Sequence, residues 1–480
     1  MILASLLASC QGYTPPPDTL HPAATHTPTP ARTHRVTLSP AGTTTPAPSP
    51  ASTQVPVSTL DVTAADLKGA KIQFWFAENE SVPSQGGVGV MQQMVERFNR
   101  ENTWGITVEL AAYPDYPEVY EKLRTYIYGD LPDLVLLYDD QASRLNAAGD
   151  LVVDLSSYVQ DPVWGLTTGE QSDFYPQFWA ASTGVKRTGA PFYRSAQVLL
   201  YNQTWAAELG FDGPPSDPSE FKDQACQAAK ANREDDLPEN DGTGGWVVDT
   251  DTATLAAWLM AYGGEIANPG ESRGYAFDSA ETRQALTFLK GLYDEQCAWV
   301  SAGRYPNVEF AGRRALFINS SVSGLPFQVD AFLDTLSSDQ WTVLPYPSPG
   351  DQPVIYTYGP SFVVMKSSPV NQLAAWLLAR WLLSPENQAL WTESHGTLPV
   401  RLSVTSLLAS YAGSHPQWAA ALELVPYARN APSRPSWDVV RWVLNDAGKQ
   451  LFSPAFTASQ IPELIDILSD TATEMDQQFR

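Results

Sequence analysis

The chain alternates short, nearly continuous apolar runs with segments in which apolar residues recur every three or four positions. Apolar runs at 72–76, 106–110 and 133–138 predict strands that are covered on both faces. The apolar spacing from 91 to 98 predicts an amphipathic helix between the first two runs, and 117–129 predicts a second helix that ends at Gly129. Strand, helix, strand, helix and strand in this order predict an α/β fold that begins with a parallel sheet.

Residues 11–68 have a different composition, dominated by Pro, Thr, Ser and Ala with few charges and almost no large apolar side chains. Such a segment buries too little apolar surface to offset the entropy of ordering, so we expect a disordered tether with polyproline II character. The sequence therefore predicts a folded body that starts near residue 69.

The formal net charge of −24 makes nucleic acid and anionic membrane surfaces improbable partners, because both require a basic face. Apolar residues make up 43% of the chain and aromatic residues 11%, which is ample for large buried cores. The longest apolar stretches are too short, or too interrupted by charge, to span a bilayer. We expect no nucleic-acid partner and no transmembrane helix.

Residues 1–10 read MILASLLASC, and the segment Leu7–Cys10 resembles the lipobox of bacterial lipoproteins. That resemblance implies an acylated Cys10 and an extracytoplasmic protein anchored by lipid to the outer face of the cell membrane. The segment is short for a signal peptide and lacks a basic beginning, and a chance cysteine is the alternative. The two remaining cysteines of an exported protein, Cys226 and Cys297, suggest one disulfide, with two buried thiols as the alternative.

Several soft motifs follow one another along the body. An aromatic–basic pair, Tyr193 and Arg194, begins a strand that ends in Tyr-Asn, and a Pro-Pro turn and a helix follow it. Later segments read FAGRRALFINSS, WTVLPYPSPG and AAWLLARWLLSPENQALWTESHGTLPVR. In this order they resemble the bacterial extracellular solute-binding proteins that serve ABC importers, specifically the sugar-binding, maltose-binding-protein-like class.

The resemblance implies a two-lobed periplasmic-binding-protein fold of type II, with a mainly parallel sheet in each lobe and a hinge crossed several times. The N-terminal lobe is expected at 69–192 and 312–365, and the C-terminal lobe at 193–311 and 366–480. A monomer is expected to capture a carbohydrate, preferably an oligosaccharide, between the lobes and to deliver it to the permease subunits, without cofactor, metal or catalysis.

Ligand contacts are expected where strands end at the cleft and where the chain crosses between lobes. Aromatic faces suit the apolar patches of a sugar, while carboxylates, amides and guanidinium groups suit its hydroxyls. Core packing, helix capping or solvation is the alternative for each residue. The expected contacts are Glu78, Asn79, Asp139, Asp140, Tyr193, Arg194, Trp246, Asp251, Ser320, Ser321, Tyr358, Gly359, Trp437 and Arg441.

Motifs for other chemistry are weak. Only His395 and His415 lie in the body, which is a poor basis for a histidine metal site or a Ser-His-Asp triad. A secreted glycoside hydrolase would also be acidic and rich in tryptophan, and it needs only two carboxylates. The order of motifs argues against it. The same fold with a non-sugar ligand, such as a polyamine or a peptide, is the other alternative.

Overall fold

The computed structural model describes residues 56–77, 89–125, 129, 131–182, 186–268 and 274–479. Its strands are β1 Lys71–Ala77, β2 Thr107–Tyr113, β3 Leu134–Tyr138, β4 Ala190–Pro191, β5 Tyr193–Asn202, β6 Gly244–Val247, β7 Ala298–Trp299, β8 Ala315–Ser321, β9 Trp341–Leu344, β10 Ile355–Tyr358, β11 Pro360–Val364, β12 Leu398–Pro399 and β13 Ala428–Asn430.

The α-helices are α1 Val90–Glu101, α2 Tyr116–Thr125, α3 Asp139–Gly149, α4 Ser156–Gln160, α5 Thr168–Ser172, α6 Pro176–Ala180, α7 Gln203–Glu208, α8 Pro218–Glu234, α9 Thr252–Ala261, α10 Ala280–Asp294, α11 Asn307–Ala311, α12 Leu325–Asp334, α13 Pro369–Leu382, α14 Pro385–His395, α15 Val404–Leu407, α16 Ala409–Ser414, α17 Pro416–Glu423, α18 Trp437–Leu451 and α19 Ile461–Gln477.

The first sheet has the strand order β2-β1-β3-β11-β4. β1 runs parallel to β2 and β3, with Phe74 opposite Leu110 and Leu134, whereas β11 returns antiparallel to β3. Helices α1 and α13 cover the sheet, and Phe98 and Trp376 are fully buried beneath them. The predicted strand–helix–strand beginning is confirmed. β1 and β3 are largely buried, as expected, whereas β2 at the edge of the sheet buries only Val108 fully, so its run is not covered on both faces.

The second sheet has the order β13-β10-β5-β8-β6-β7, and β9 and β12 also pair with β5. β5 is ten residues long and almost entirely buried, and it is the central strand with which β8, β9, β10 and β12 pair. Trp246, Trp258 and Phe317 fill the core on one side of it, and all three are fully buried. Two sheets with helices around both give the expected two-lobed α/β architecture.

Strand pairing corrects the expected lobe boundaries. We expected the chain to return to the first lobe at 312–365, but β8 pairs with β5 and β6 of the second sheet, with Ile318 opposite Leu200. The return to the first sheet comes with β11, immediately after β10. Conversely, α13 and α14 pack against β1, β11 and α1, and so belong with the first sheet. An apolar run predicts a buried strand but does not say which strands it pairs with.

The last part of the expected tether is packed on the body. Ser58 Oγ and Thr59 N donate hydrogen bonds to Asp161 Oδ2 over 2.9 and 2.8 Å. Leu67 is fully buried and Val62 nearly so, both in the core that contains α1 and α13. Residues 56–68 are therefore not part of a disordered tether, because two apolar side chains and one carboxylate hold them in place. Cys10 lies outside the described residues.

Cys226 of α8 and Cys297, which follows α10, form a disulfide with their Cα atoms 4.2 Å apart. The bond links α8 to the segment between α10 and β7 across 71 residues of sequence. Across the described ranges, none of the helices combines the length and the apolar composition needed to cross a bilayer.

Candidate functional site

Two chain crossings between the sheets lie side by side. One runs from β4 to β5 through Phe192, and the other runs from β10 to β11 through Gly359. Arg194, only 1% exposed, joins them: its Nη1 donates to the carbonyl oxygens of Gly359 and Pro360 over 3.1 and 2.9 Å. Burial lowers the pKa of Arg194, and the charge of Asp139 opposes that shift. Arg194 is thus a brace of the hinge rather than an open ligand contact.

Asp139 takes part in the same brace. Its Oδ2 accepts from Arg194 Nη2 at 3.2 Å, and its Oδ1 accepts from the hydroxyls of Ser182 and Ser361 at 2.5 and 2.8 Å. Both carboxylate oxygens therefore have protein partners, which satisfies a charge in a place where solvation is poor. Of the two neighbouring aspartates, Asp139 is therefore engaged by hydrogen bonds within the hinge, and its carboxylate has no free oxygen for a ligand.

Tyrosines from both sheets meet where the crossings face α2 and α3. The hydroxyls of Tyr116 and Tyr193 are 2.8 Å apart, and the rings of Tyr116 and Tyr138 are 5.0 Å apart between centroids. Burial raises the pKa of Tyr358, and the nearby Tyr138 and Asp251 raise it as well. Burial likewise raises the pKa of Tyr138 to about 12. Each of these four rings is only half-buried, so the cluster combines aromatic faces with hydroxyls at a partly open surface.

Asp140 lies beside this tyrosine cluster, close to residues of α18. Its pKa is raised to about 7, mainly by burial; Arg441 opposes the shift, and Asp438 and Asp139 add to it. Arg441 Nη2 is 3.6 Å from Asp438 Oδ1, and its Nε is buried without a partner among the described residues. An acceptor from a ligand could satisfy that Nε, since buried donors are rarely left unpaired.

Serine hydroxyls complete the site on the side of the second sheet. Ser195 Oγ and Ser321 Oγ lie 3.1 and 3.2 Å from Ser323 Oγ, and Ser195 pairs in register with Tyr358. Ser320, at the end of β8, donates to the carbonyl oxygen of Ser321 at 3.3 Å. The hydroxyls can donate or accept, which suits a ligand that carries hydroxyls of its own.

Three further predicted contacts have other roles. Trp246 is 0% exposed and packs against Trp258 and Phe452 in the core, so its assignment to the site is corrected. Trp437 is 4% exposed, and its ring stacks on Tyr275 with 6.0 Å between centroids, so it too is a core residue. Gly359 has φ +155°, and a Cβ there would collide with the Tyr193 carbonyl, so the glycine serves the hinge.

Asp251 is exposed and caps α9, where its Oδ1 accepts from Ala253 N at 2.9 Å. Its charge still raises the pKa of Tyr358, after the effect of burial, so it lies near the cluster. Glu78 and Asn79 lie outside the described residues.

Sequence reasoning missed several residues that the structure brings together. Tyr116 and Ser195 line the cluster, and the pair Arg144–Asp438 joins α3 to α18 beside it. Ser195 could have been found from its place after Arg194 on the crossing strand. Tyr116 begins a helix, and nothing in its local sequence indicates that its hydroxyl meets Tyr193.

Within the described ranges, the sulfur atoms of Cys226 and Cys297 and a carboxylate oxygen of Glu295 form a group with the spacing of a metal site, all within 4.8 Å. Because the two sulfurs are bonded to each other, they are not the thiolates that bind metals. The cleft itself offers tyrosine, serine, aspartate and arginine side chains, a set suited to holding a hydroxylated ligand by hydrogen bonds.

A family model described as bacterial extracellular solute-binding protein matches residues 93–426 of the chain. The chain belongs to this family. Its members are binding proteins rather than enzymes, so the chain is an extracytoplasmic solute-binding protein. A protein of Brucella abortus (strain 2308), named as a binding protein, is 24% identical over 372 residues, covering 75% of this chain and 84% of that protein.

Solved structures show the same fold. The sugar-binding protein MalE of Xanthomonas citri has a TM-score of 0.73 at 20% identity, covering 85% of this chain and 98% of that one. The cyclic α-maltosyl-1,6-maltose binding protein of Arthrobacter globiformis has a TM-score of 0.69 at 17% identity, covering 85% and 99%. UgpB of Mycobacterium tuberculosis, in complex with glycerophosphocholine, has a TM-score of 0.66 at 19% identity, covering 86% and 100%.

Proposed function

We propose that the protein captures a carbohydrate, preferably an oligosaccharide, between its two lobes and delivers it to the permease of an ABC importer. The observation that carries this proposal is the convergence of Tyr116, Tyr138, Tyr193 and Tyr358 beside Asp140 and Arg441. A sugar ring has apolar C–H faces that pack on aromatic rings, and hydroxyls that pair with carboxylates, guanidinium groups and serines. Lipid anchoring through Cys10 and a monomeric state are parts of the same proposal.

Charge favours a neutral ligand. Asp139 is neutralised by Arg194, and Asp438 lies between Arg144 and Arg441. Burial raises the pKa of Asp140 to about 7, so this carboxyl carries only part of a negative charge near neutral pH. A strongly cationic ligand such as a polyamine would prefer unpaired carboxylates, whereas Asp139 and Asp438 both have guanidinium partners.

The first experiment is isothermal titration of the full chain with maltotetraose, cellotetraose, xylotetraose, spermidine and a short peptide. Binding of one oligosaccharide class, weakened in the Arg441→Ala protein and kept in the Lys449→Ala protein, supports the proposal. Lys449 is the control because it also lies on α18 and its side chain is 61% exposed. Binding of spermidine or peptide alone would leave the family assignment intact and overturn the carbohydrate.

A further inference from the structure

A second cavity, of about 570 Å³, lies in the first lobe. It is lined by the turn before β2, by the region of α5, by the end of α13 and by the start of α14. None of its lining residues belongs to the tyrosine cluster or to its serine and aspartate neighbours. Its volume falls in the range of about 300–1,000 Å³ that is typical of ligand pockets.

The walls of this cavity are aromatic. Trp104 and Trp381 both line it and both are half-buried, with Leu377 beside them. The Trp381 ring is held in place by Phe98, with 5.5 Å between ring centroids, and by the guanidinium of Arg97 at 4.9 Å from its centroid. A rigid indole that is already oriented loses little entropy when a flat apolar face packs on it.

The polar groups of the cavity come as two ion pairs. Arg380 Nη2 donates to both carboxylate oxygens of Glu170 over 3.2 and 3.3 Å, and Arg401 Nη1 donates to Asp173 Oδ2 over 3.2 Å. Because each guanidinium already has a carboxylate, the cavity has no excess charge with which to select an anion or a cation. Its charged rim equally disfavours a pure hydrocarbon ligand, which would desolvate these groups without pairing them.

Arg401 supplies a donor that still lacks a partner. The residue is 4% exposed, it lines the cavity, and its Nε is buried with no hydrogen-bond acceptor in the described ranges. The guanidinium lies over the Phe174 ring at 4.4 Å, so the aromatic face holds the group but offers the Nε no oxygen. A buried donor that has no acceptor in the protein is normally satisfied by an ordered water or a ligand.

We propose that this cavity is a second carbohydrate-binding site, distinct from the cleft between the lobes. A neutral ring with an apolar face and several hydroxyls matches each feature at once: the two indoles, the neutral pairs of charged groups and the unpaired donor. The proposal does not depend on the ligand of the cleft. It predicts that one chain binds sugar at two positions with separate saturation curves.

The test is fluorine NMR of the full chain labelled with 5-fluorotryptophan, in which Trp104→Phe and Trp381→Phe proteins assign the two resonances. Maltotetraose, cellotetraose, xylotetraose, mannotetraose and chitotetraose are the probes. At least one of them is expected to shift both resonances, with a dissociation constant that rises about tenfold or more in the Trp104→Ala protein. The exposed Trp442→Ala protein is the matched control and should keep the wild-type curve.

Arg380→Gln is the second variant, because its side chain is 30% exposed and its loss leaves the indoles in place. The Arg380→Gln protein should also show a higher dissociation constant in the titration followed by the Trp104 resonance. Two results would overturn the proposal. In one, neither resonance moves with any probe. In the other, the shifts occur but disappear in the Arg441→Ala protein, which would show that Trp104 only reports on ligand in the cleft.

Discussion

Arg144 of α3 and Asp438 of α18 form an ion pair that joins the first lobe to the second. Their side chains are only 19% and 18% exposed, and the Arg144 guanidinium also lies over the Phe479 ring at 4.7 Å. Because the pair is partly shielded from water, removing one partner should cost more than at an exposed surface pair, since the other charge is left poorly solvated. It holds α3 and α18 together next to Asp140 and Arg441. The positions of these two cleft residues relative to each other therefore depend on how the lobes are arranged.

The Arg144→Ala protein should therefore spend more time with its lobes apart. We expect a larger radius of gyration in small-angle X-ray scattering and a loss of about 1–2 kcal/mol in the free energy of unfolding. Lys449→Ala is the control, since its pair with Asp446 lies on the same helix but is 61% and 72% exposed. Identical scattering curves for the wild-type and Arg144→Ala proteins would contradict this role.

Trp437 should matter for stability rather than for ligand affinity. Its ring is 4% exposed and stacks on Tyr275, so Trp437→Ala leaves a cavity and should lower the free energy of unfolding by about 3–5 kcal/mol. Trp442→Ala, on the same helix but 58% exposed, should change it by no more than about 0.5 kcal/mol. Urea denaturation followed by circular dichroism measures both.

The sequence interpretation of Trp437 predicts the opposite result, with the fold intact and ligand binding reduced. If the Trp437→Ala protein unfolds at the wild-type urea concentration but loses its affinity for oligosaccharide, the ring faces the ligand and the assignment to the core is wrong.

Apolar periodicity predicted much of the fold. The runs that became β1 and β3 are largely buried, and such runs are recognisable from composition alone; the run of β2 was also recognised as a strand, although it lies at the sheet edge and is half exposed. The lobe of β8 was not predictable in this way. Its pairing with β5 depends on residues more than a hundred positions earlier, such as Leu200 opposite Ile318. The local sequence of β8 does not indicate which strand it pairs with.

The site was predictable in chain position but not in role. Asp139 and Asp140 both follow β3, as expected for a binding edge, yet one pairs with Arg194 and the other stays near Arg441. Which of two adjacent carboxylates faces a buried guanidinium is decided by helix phase and by the distant crossing at Gly359. Trp246 shows the same limit, because a tryptophan in a strand suits a core as well as a cleft.

Asp140 should make stability depend on pH. Burial first, and then Asp438 and Asp139, raise its pKa in the folded protein to about 7, above the ordinary value of 3.8. The folded protein therefore keeps a proton that the unfolded chain releases, and this contribution to stability is full below pH 3.8 and lost as the pH rises through 7. Asp140→Asn should remove this slope and stabilise the protein by about 1–3 kcal/mol at pH 8.

Urea denaturation at a series of pH values between 4 and 8 tests this expectation. Asp446→Asn is the control, since that carboxylate is 72% exposed at the surface of α18. If the Asp140→Asn and wild-type proteins give parallel profiles across this range, the Asp140 carboxyl titrates normally and burial does not raise its pKa.

Residues 56–68 should stabilise the body, although their composition suggested a tether. Leu67 is fully buried, so Leu67→Ala in the full chain should lower the free energy of unfolding by about 2–5 kcal/mol. Asp66→Asn is the neighbouring control, because that side chain is exposed and bonds only within its own turn, to Thr63. Equal melting temperatures for the two variants would show that this segment does not contribute to the core.

The disulfide between Cys226 and Cys297 should contribute to the stability of the second lobe. It closes a loop of 71 residues, and cross-links of this kind typically stabilise a fold by about 2–5 kcal/mol, partly by restricting the unfolded chain. The protein with both cysteines changed to alanine should melt at a lower temperature than the wild type. Dithiothreitol should lower the wild-type melting temperature towards that of the variant and leave the variant unchanged. If the wild type, shown by mass spectrometry to be fully reduced, still melts at its original temperature, packing between α8 and α10 holds this region without the bond.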